Sequence, residues 1–154
     1  MYVTERIIKM EKQLISWEEI RHWSNRLAEK IAADSSNLSE ATLVAVSRGG
    51  LVPTQLIAYK LNIRDIRTMK LISYDENNQR GDIQDISTDR LFDGKNVYII
   101  DDLADSGATI KYLRQKFPTA RLCTLLQKTC CKEHPDICAR SDIEEKSWLV
   151  FPWD

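Results

Sequence analysis

The stretch VYIIDDLADSGAT, residues 97–109, decides the fold class of this chain. Four apolar residues run directly into two carboxylates, a third carboxylate follows, and a Ser-Gly-Ala-Thr turn closes the stretch. A short apolar run bounded by breakers is typical of a buried strand. The turn is typical of a helix N-terminus that can receive an anion. A strand, an acidic end and a helix in this order predict one unit of an α/β domain.

The same order of strand and helix extends on both sides of that stretch. Strands are predicted over residues 41–46, 65–74, 96–100, 120–127 and 147–151, and helices over residues 17–33, 53–61 and 107–117. The first helix begins with a capping box formed by Ser16 and Glu19, and its apolar stripe starts at Trp17. We therefore expect residues 1–154 to form one α/β domain with a mainly parallel sheet flanked by helices.

Composition excludes several classes of function. The net charge is −1 and the pI about 6.1, so the chain lacks the basic face of a nucleic-acid-binding protein. No apolar run approaches the roughly 20 residues that a transmembrane helix needs. The first residues are interrupted by charge and lack the apolar core of a secretory signal. We expect a cytoplasmic protein without a transmembrane segment, and peripheral association with a membrane stays open.

Four cysteines lie close together, at Cys123, Cys130, Cys131 and Cys138. The last three and His134 have a spacing that could bind zinc. Structural zinc sites more often use Cys-x-x-Cys pairs, and adjacent cysteines direct their side chains apart. We favour unligated thiols and leave a zinc site as the alternative.

Residues 101–109 predict a ligand site, because ligands of parallel α/β sheets bind at the carboxyl ends of the strands. Backbone N–H groups of residues 105–109, with the hydroxyls of Ser106 and Thr109, can surround a phosphate. Asp101 and Asp102 then need a different part of the ligand, either sugar hydroxyls or a Mg²⁺ ion. This combination indicates a sugar phosphate. The alternative is a polar strand end followed by an ordinary helix cap.

Two further segments are expected at the same edge of the sheet. In the loop of residues 47–50, Arg48 supplies a positive charge, and Gly49 and Gly50 allow close approach of the backbone to an anion. The alternative is an ordinary turn. Residues 75–93 contain few large apolar side chains, so we predict a long mobile excursion there.

The stretch at residues 97–109 closely resembles the phosphoribosyl-pyrophosphate signature of type I phosphoribosyltransferases. VAVSRGGLVP, ISYDENNQR, the Lys that ends LLQK, and WLVFPWD resemble, in that order, the bacterial xanthine-guanine enzymes of this family. The resemblance covers residues 17–154. It implies the type I phosphoribosyltransferase fold with a small C-terminal base-binding hood. It also implies Mg²⁺-dependent transfer of phosphoribosyl from phosphoribosyl pyrophosphate to guanine, xanthine or hypoxanthine, a purine salvage reaction that releases pyrophosphate.

The resemblance also implies roles for single residues. Its substrate-binding residues are Arg48, Gly49, Arg80, Asp101, Asp102, Leu103, Ala104, Asp105, Ser106, Gly107, Ala108, Thr109, Lys128, Trp148 and Leu149. Residues 105–109 would hold the 5-phosphate, and Asp102 would bind the Mg²⁺. Arg48 and Gly49 would bind pyrophosphate in a loop that contains a non-proline cis peptide. Asp105 would be catalytic and take or share the proton on purine N7.

The remaining roles concern recognition of the base and closure of the site. By resemblance, Lys128 would donate to the purine O6, Trp148 would stack on the base, and the backbone of Leu149 would read the 2-position. Arg80 would close over the phosphates or the nucleotide. Members of the family commonly form dimers or tetramers, so a homo-oligomer is implied. The choice among the three bases stays open.

The chain departs from the family in places. The segment TCCKEHPDICARSD, residues 129–142, is unlike the family's usual text, and Ala108 stands where the xanthine-guanine enzymes often have glycine. Relatives also commonly continue for about another strand after Pro-Trp-Asp, where this sequence ends.

Two alternative functions fit the same fold. One is a regulator that senses phosphoribosyl pyrophosphate and binds nucleic acid, and the other is a transferase for another nucleobase. The absence of a basic face argues against the first, and a lysine placed for a purine O6 argues against the second.

Overall fold

Strands and helices alternate along the chain in the computed structural model, which describes residues 10–73, 83–85 and 92–154. The elements are β1 (Glu11–Leu14), α1 (Trp17–Asp34), β2 (Thr42–Ser47), α2 (Leu51–Leu61), β3 (Asp65–Ser73), β4 (Ile83–Asp85), β5 (Val97–Ala104), α3 (Ala108–Lys116), β6 (Arg121–Lys128), β7 (Ile137–Ile143) and β8 (Ser147–Val150). A single 3₁₀ turn, Leu38–Glu40, lies between α1 and β2. None of the described helices is long and apolar enough to cross a membrane.

The central sheet has the strand order β4-β3-β2-β5-β6-β7. All its pairs are parallel except β3 with β4. The mainly parallel sheet expected from the sequence is therefore confirmed. Because β2, β5 and β6 are neighbours that run in one direction, the segments that follow them emerge at one edge of the sheet.

Both faces of the sheet are covered, so alternate residues of each strand enter different parts of the core. On β2, Leu43 belongs to a cluster with Ile20 of α1 and Ile57 of α2. The next residue, Val44, belongs to a second cluster with Ile110 of α3. This arrangement explains why the central strands read as continuous apolar runs rather than alternating ones.

Helix α1 begins as the sequence predicts. The Ser16 hydroxyl accepts a hydrogen bond from the Glu19 N–H at 3.1 Å, and the Glu19 carboxylate accepts from the Ser16 N–H at 2.8 Å. Trp17 does not join the buried stripe, because it is 57% exposed and tilts against the ring of Trp153. The buried stripe consists of Ile20, Trp23, Ser24, Leu27, Ala28 and Ile31.

The sequence did not predict β1 or β7. The predicted strand at residues 147–151 exists as β8, but it pairs with β1 in a separate parallel two-stranded sheet. The edge of the main sheet is formed by β7 instead. β1 (EKQL) has a single apolar residue, and the apolar residues of β7 (ICARSDI) are interrupted by Arg-Ser-Asp, so neither has the continuous apolar run of a buried strand.

Part of the expected excursion at residues 75–93 is ordered. Residues 83–85 form β4, antiparallel to β3. Phe92 is fully buried against Phe117, and the Asp93 carboxylate accepts hydrogen bonds from the N–H groups of Thr119 and Ala120. Phe92 and Asp93 therefore belong to the packed domain. The prediction of a mobile excursion otherwise falls on residues 75–82 and 86–91, Arg80 among them, which lie outside the described residues.

Candidate active site

The carboxyl ends of β2, β5 and β6 bring most of the predicted site residues together. The loop after β2 carries Arg48 and Gly49, β5 carries Asp101 and Asp102, and β6 ends at Lys128. The structure therefore joins, at one edge of the sheet, segments that are far apart in sequence, as parallel α/β sheets do at their ligand sites.

Asp101 and Asp102 lie inside β5 rather than beyond it. The Asp101 Oδ1 accepts a hydrogen bond from the Asp102 N–H at 2.9 Å. Burial, together with the charge of Asp102, raises the pKa of Asp101 well above its usual value. Burial also raises the pKa of Asp102. Two partly desolvated carboxylates in adjacent positions favour a ligand that brings a cation or hydroxyl donors.

The loop after β2 packs closely on these carboxylates. The peptide bond between Ser47 and Arg48 is cis, which confirms the prediction, and the Arg48 side chain is exposed. A Cβ added at Gly49 would lie 2.8 Å from the Asp102 Oδ1 and would overlap Oδ2. This close approach leaves no room for any residue other than glycine unless the Asp102 side chain moves.

The next glycine has a different neighbour. A Cβ added at Gly50 would lie 2.8 Å from the Val46 carbonyl oxygen and would overlap the carbonyl oxygen of Ile100. These are backbone atoms of the central strands β2 and β5, which cannot move as a side chain can. Gly49 therefore serves the site, whereas Gly50 serves the packing of the sheet.

Residues 105–107 form a turn that leads into α3. Gly107 is the N-cap residue of the helix and has φ 92°, a left-handed conformation that favours glycine. The Ala108 N–H donates to the Ser106 hydroxyl at 3.3 Å, and the Lys111 N–H donates to the Gly107 carbonyl at 2.9 Å. The N-terminus of α3 therefore faces the turn, where the helix dipole favours an anion.

Lys128 is buried, with only 6% of its surface exposed. Its Nζ lies 3.3 Å from the Asp105 Oδ1 and donates to the carbonyl oxygen of Glu145 at 3.2 Å. A lysine without a role at a strand end would be solvated, whereas this one is enclosed and paired. The sequence did not predict its contact with Asp105, which places an acid and a cation side by side.

The two tryptophans of the C-terminal segment, Trp148 and Trp153, have different surroundings. Trp148 on β8 is 53% exposed, and its neighbour Leu149 is half-buried against the core. Trp153 stacks on Phe151 with ring centroids 5.0 Å apart. Trp148 is therefore a half-exposed aromatic ring, whereas Trp153 stabilises the hood, which consists of β1, β8 and residues 151–153.

Sequence reasoning missed one segment of the site, residues 130–133. The Lys132 N–H donates to the Ser106 carbonyl at 3.3 Å, and a Cβ added at Gly107 would lie 2.7 Å from the Glu133 backbone nitrogen. No motif could have revealed these contacts, because they join backbone atoms of segments that follow different strands.

The candidate zinc ligands contact different partners. Cys130 Sγ lies 3.9 Å from the Asp105 carbonyl, Cys131 Sγ 3.0 Å from the Glu133 carbonyl, and Cys138 Sγ 3.2 Å from the Arg140 carbonyl. The His134 Nδ1 lies 2.5 Å from the Gln127 amide nitrogen. Within the described part of the chain, no three His, Cys, Asp or Glu side chains gather as a metal-binding group.

Comparison with known proteins shows the family. Residues 12–154 match the family model described as "Phosphoribosyl transferase domain". The chain belongs to the phosphoribosyltransferases. The xanthine-guanine phosphoribosyltransferase of Idiomarina loihiensis is 35% identical over 144 residues, which cover 91% of this chain and 85% of that protein.

Solved structures of phosphoribosyltransferases agree with this assignment. The xanthine-guanine-hypoxanthine phosphoribosyltransferase of Helicobacter pylori superposes with a TM-score of 0.70 at 30% identity, covering 93% of this chain and 94% of that one. A purine phosphoribosyltransferase of Pyrococcus horikoshii superposes with a TM-score of 0.72 at 21% identity, covering 94% and 95%, and shows the fold alone. The type I fold expected from the sequence is confirmed.

Proposed function

We propose that this phosphoribosyltransferase transfers the 5-phosphoribosyl group of phosphoribosyl pyrophosphate to a 6-oxopurine, namely guanine, xanthine or hypoxanthine. The products would be pyrophosphate and the nucleoside monophosphate. The relatives named above support this class of substrate. The single structural observation that carries the proposal is the pairing of Lys128 with Asp105, beside the turn that would hold the 5-phosphate.

The pentose phosphate would occupy the centre of the site. Backbone N–H groups of residues 105–109 and the helix dipole of α3 would bind the 5-phosphate, flanked by Leu103 and Ala104 at the end of β5. Asp101 and Asp102 would accept hydrogen bonds from the ribose hydroxyls. Arg48 and the backbone of Gly49 would bind the pyrophosphate, because the exposed guanidinium can reach a ligand that lies on the loop.

The acidic pair fits a Mg²⁺ ion. This ion is usually held by one or two carboxylates together with substrate phosphates, and burial has raised the pKa of both Asp101 and Asp102. Asp102 would be the protein ligand, because its carboxylate lies against Gly49 of the pyrophosphate loop. When bound, the ion would neutralise charge on the leaving pyrophosphate.

Catalysis would consist mainly of positioning and charge stabilisation, because displacement at C1 of the ribose passes through an oxocarbenium-like state. Asp105 would take or share the proton of purine N7, and Lys128 would donate to O6. The Lys128 Nζ and the Asp105 carboxylate are 3.3 Å apart, so neighbouring atoms of one purine edge can meet both groups. Trp148 would stack on the base, and the Leu149 backbone would read the 2-position.

One assay tests the whole proposal. Purified protein is mixed with phosphoribosyl pyrophosphate, MgCl₂ and, in turn, guanine, xanthine, hypoxanthine, adenine, uracil or orotate, and pyrophosphate release is followed. We expect rapid release with the 6-oxopurines and at most a small rate with adenine, and loss of release when EDTA removes the metal. Failure to use any 6-oxopurine, combined with tight nucleic-acid binding, would instead favour the regulator.

Three further properties belong to the same proposal. A homodimer or tetramer is implied by the resemblance, and light scattering after size-exclusion chromatography measures it directly. Cytoplasmic location would be checked by cell fractionation. Closure by Arg80 over the phosphates would be tested by comparing the KM for phosphoribosyl pyrophosphate in Arg80→Ala and in the wild type.

A further inference from the structure

Residues 130–133, here called the brace loop, follow β6 and contact the turn of residues 105–107. The Lys132 N–H donates to the Ser106 carbonyl at 3.3 Å, and the Cys130 Sγ lies 3.9 Å from the Asp105 carbonyl. An added Cβ at Gly107 would lie 2.7 Å from the backbone nitrogen and 3.0 Å from the carbonyl oxygen of Glu133. The two segments therefore touch backbone to backbone.

The brace loop is itself held in place by the core. Cys131 is 4% exposed and belongs to the same cluster as Ile110 and Leu113 of α3. Its N–H donates to the Lys128 carbonyl at 3.1 Å, and its thiol donates to the Glu133 carbonyl at 3.0 Å. A rigid loop can fix the position of what it touches.

The segment beyond the brace loop is fixed as well. The Arg114 guanidinium of α3 donates to the His134 carbonyl at 2.9 Å and pairs with Asp136 at 3.0 Å. The brace loop is thus attached at one end to β6 and at the other to the helix whose N-terminus faces the turn.

The contacts of the brace loop with the carbonyls of the turn also fix the direction of the N–H groups in the turn. The C=O of one residue and the N–H of the next belong to one planar trans unit and point in opposite directions. Because the carbonyls of Asp105 and Ser106 are held toward the brace loop, the N–H groups of Ser106 and Gly107 point away from it. That is the side on which an anion at the N-terminus of α3 would lie.

We propose that the brace loop is a positioning element, which orients the N–H groups of Ser106 and Gly107 toward the 5-phosphate of phosphoribosyl pyrophosphate. This inference rests on the proposed function. Residues 130–133 do not touch the substrate themselves; they act through the turn.

The decisive comparison is Lys132→Pro against Lys132→Ala. Proline lacks the N–H that donates to Ser106, whereas alanine keeps it and removes only the exposed side chain. Isothermal titration of phosphoribosyl pyrophosphate with MgCl₂ should give a Kd raised roughly two- to tenfold in Lys132→Pro, the effect of one lost hydrogen bond. Lys132→Ala should bind like the wild type, and the KM for guanine should stay constant in both variants.

A second pair keeps the proposal testable if proline prevents folding. Cys131→Ala removes the thiol that donates to the Glu133 carbonyl, and Cys131→Ser restores a donor. We expect weaker binding of phosphoribosyl pyrophosphate in the alanine variant and recovery in the serine variant. Circular dichroism ensures that only folded protein is compared.

Two results would overturn the proposal that the brace loop orients the turn. Unchanged affinity for phosphoribosyl pyrophosphate in folded Lys132→Pro or Cys131→Ala would show that the contacts orient nothing. Equal losses in Lys132→Ala and Lys132→Pro would assign the effect to the side-chain charge. Since affinity is measured without turnover, a wild-type protein that binds phosphoribosyl pyrophosphate but transfers it to no 6-oxopurine would defeat the proposed function alone.

Discussion

The two ends of the candidate site are built in different ways. The end proposed for the pentose phosphate lies at the centre of the sheet, where Asp101 and Asp102 lie within β5 and Gly49 packs against Asp102. The base end uses the margin, where β8 carries the half-exposed Trp148 and pairs only with β1. In the proposed function, the groups assigned to the phosphates are fixed by the core, whereas Trp148, assigned to the base, projects from a small outlying sheet and Lys128 reaches the base from the end of β6.

This difference indicates how the two ends tolerate change. At the centre, an added atom meets a carboxylate or a strand backbone, and little can move. At the margin, a side chain can be replaced without disturbing the core. We therefore expect central substitutions to abolish the reaction with every base, and marginal substitutions to alter the choice or affinity of the base.

The largest expected effect is at Asp102. Asp102→Asn keeps the shape of the side chain but removes its charge, so kcat/KM should fall by roughly 10²- to 10³-fold with every base, as for other lost electrostatic contacts. Thermal stability should not fall, because the variant removes a carboxylate whose pKa burial has raised. Steady-state kinetics and a melting curve measure the two effects.

Asp142→Asn is the matched control for that change. Asp142 is an exposed carboxylate on β7 that pairs with Arg140. Its loss should leave kcat/KM unchanged. A similar fall in both variants would show that charge at the centre of the sheet has no special part in the reaction.

The two adjacent glycines should separate activity from stability. Gly49→Ala places a methyl group against the Asp102 carboxylate, and a misplaced catalytic group can cost about 10²-fold in rate. Gly50→Ala meets the backbone of β2 and β5 and should cost roughly 1–3 kcal/mol in the free energy of unfolding. Urea titration and kinetics on both proteins check the contrast, and equal melting curves would contradict it.

At the base end, Lys128→Met should reduce kcat/KM for 6-oxopurines by roughly 10- to 100-fold, the effect of losing a hydrogen bond from a charged donor. The small activity expected with adenine should not change, because adenine has no O6. Lys146→Met is the control, since Lys146 is exposed and follows Glu145, whose carbonyl oxygen accepts from Lys128. Equal losses of kcat/KM with adenine and guanine would contradict the proposed contact between Lys128 and the purine O6.

The smallest effect is expected at the two tryptophans of the hood. Trp148→Ala should raise the KM for guanine about tenfold, within the range of a lost base-stacking contact, and leave the melting temperature constant. Trp153→Ala should lower the melting temperature, because the ring stacks on Phe151. If Trp148→Ala lowered stability as Trp153→Ala does, Trp148 would be a packing residue.

Sequence reasoning predicted the centre of the molecule better than its margin, for a physical reason. Strands β2, β5 and β6 are buried on both faces, so their apolar runs are visible in the sequence, and the turn at residues 105–107 follows one of them directly. β1 has a single apolar residue, and Arg-Ser-Asp interrupts the apolar residues of β7, so neither has the continuous apolar run that identifies a buried strand.

The features of the candidate site also differ in whether the sequence could predict them. The acidic pair and the glycine loop are local motifs, and the structure brings Gly49 and Asp102 together. The pairing of Lys128 with Asp105 and the contacts of the brace loop depend on which strand lies next to which. A single sequence does not specify these contacts, because they arise only when distant segments meet in the sheet.

The parallel pairing of β1 with β8 has a consequence for the order in which the chain is made. Among the described strands, β1 is translated first and β8 last, so β1 has no partner until β8 has been made. The six strands of the central sheet all precede β8 in the chain. The two-stranded sheet of β1 and β8 can therefore close only after the strands of the central sheet have been translated.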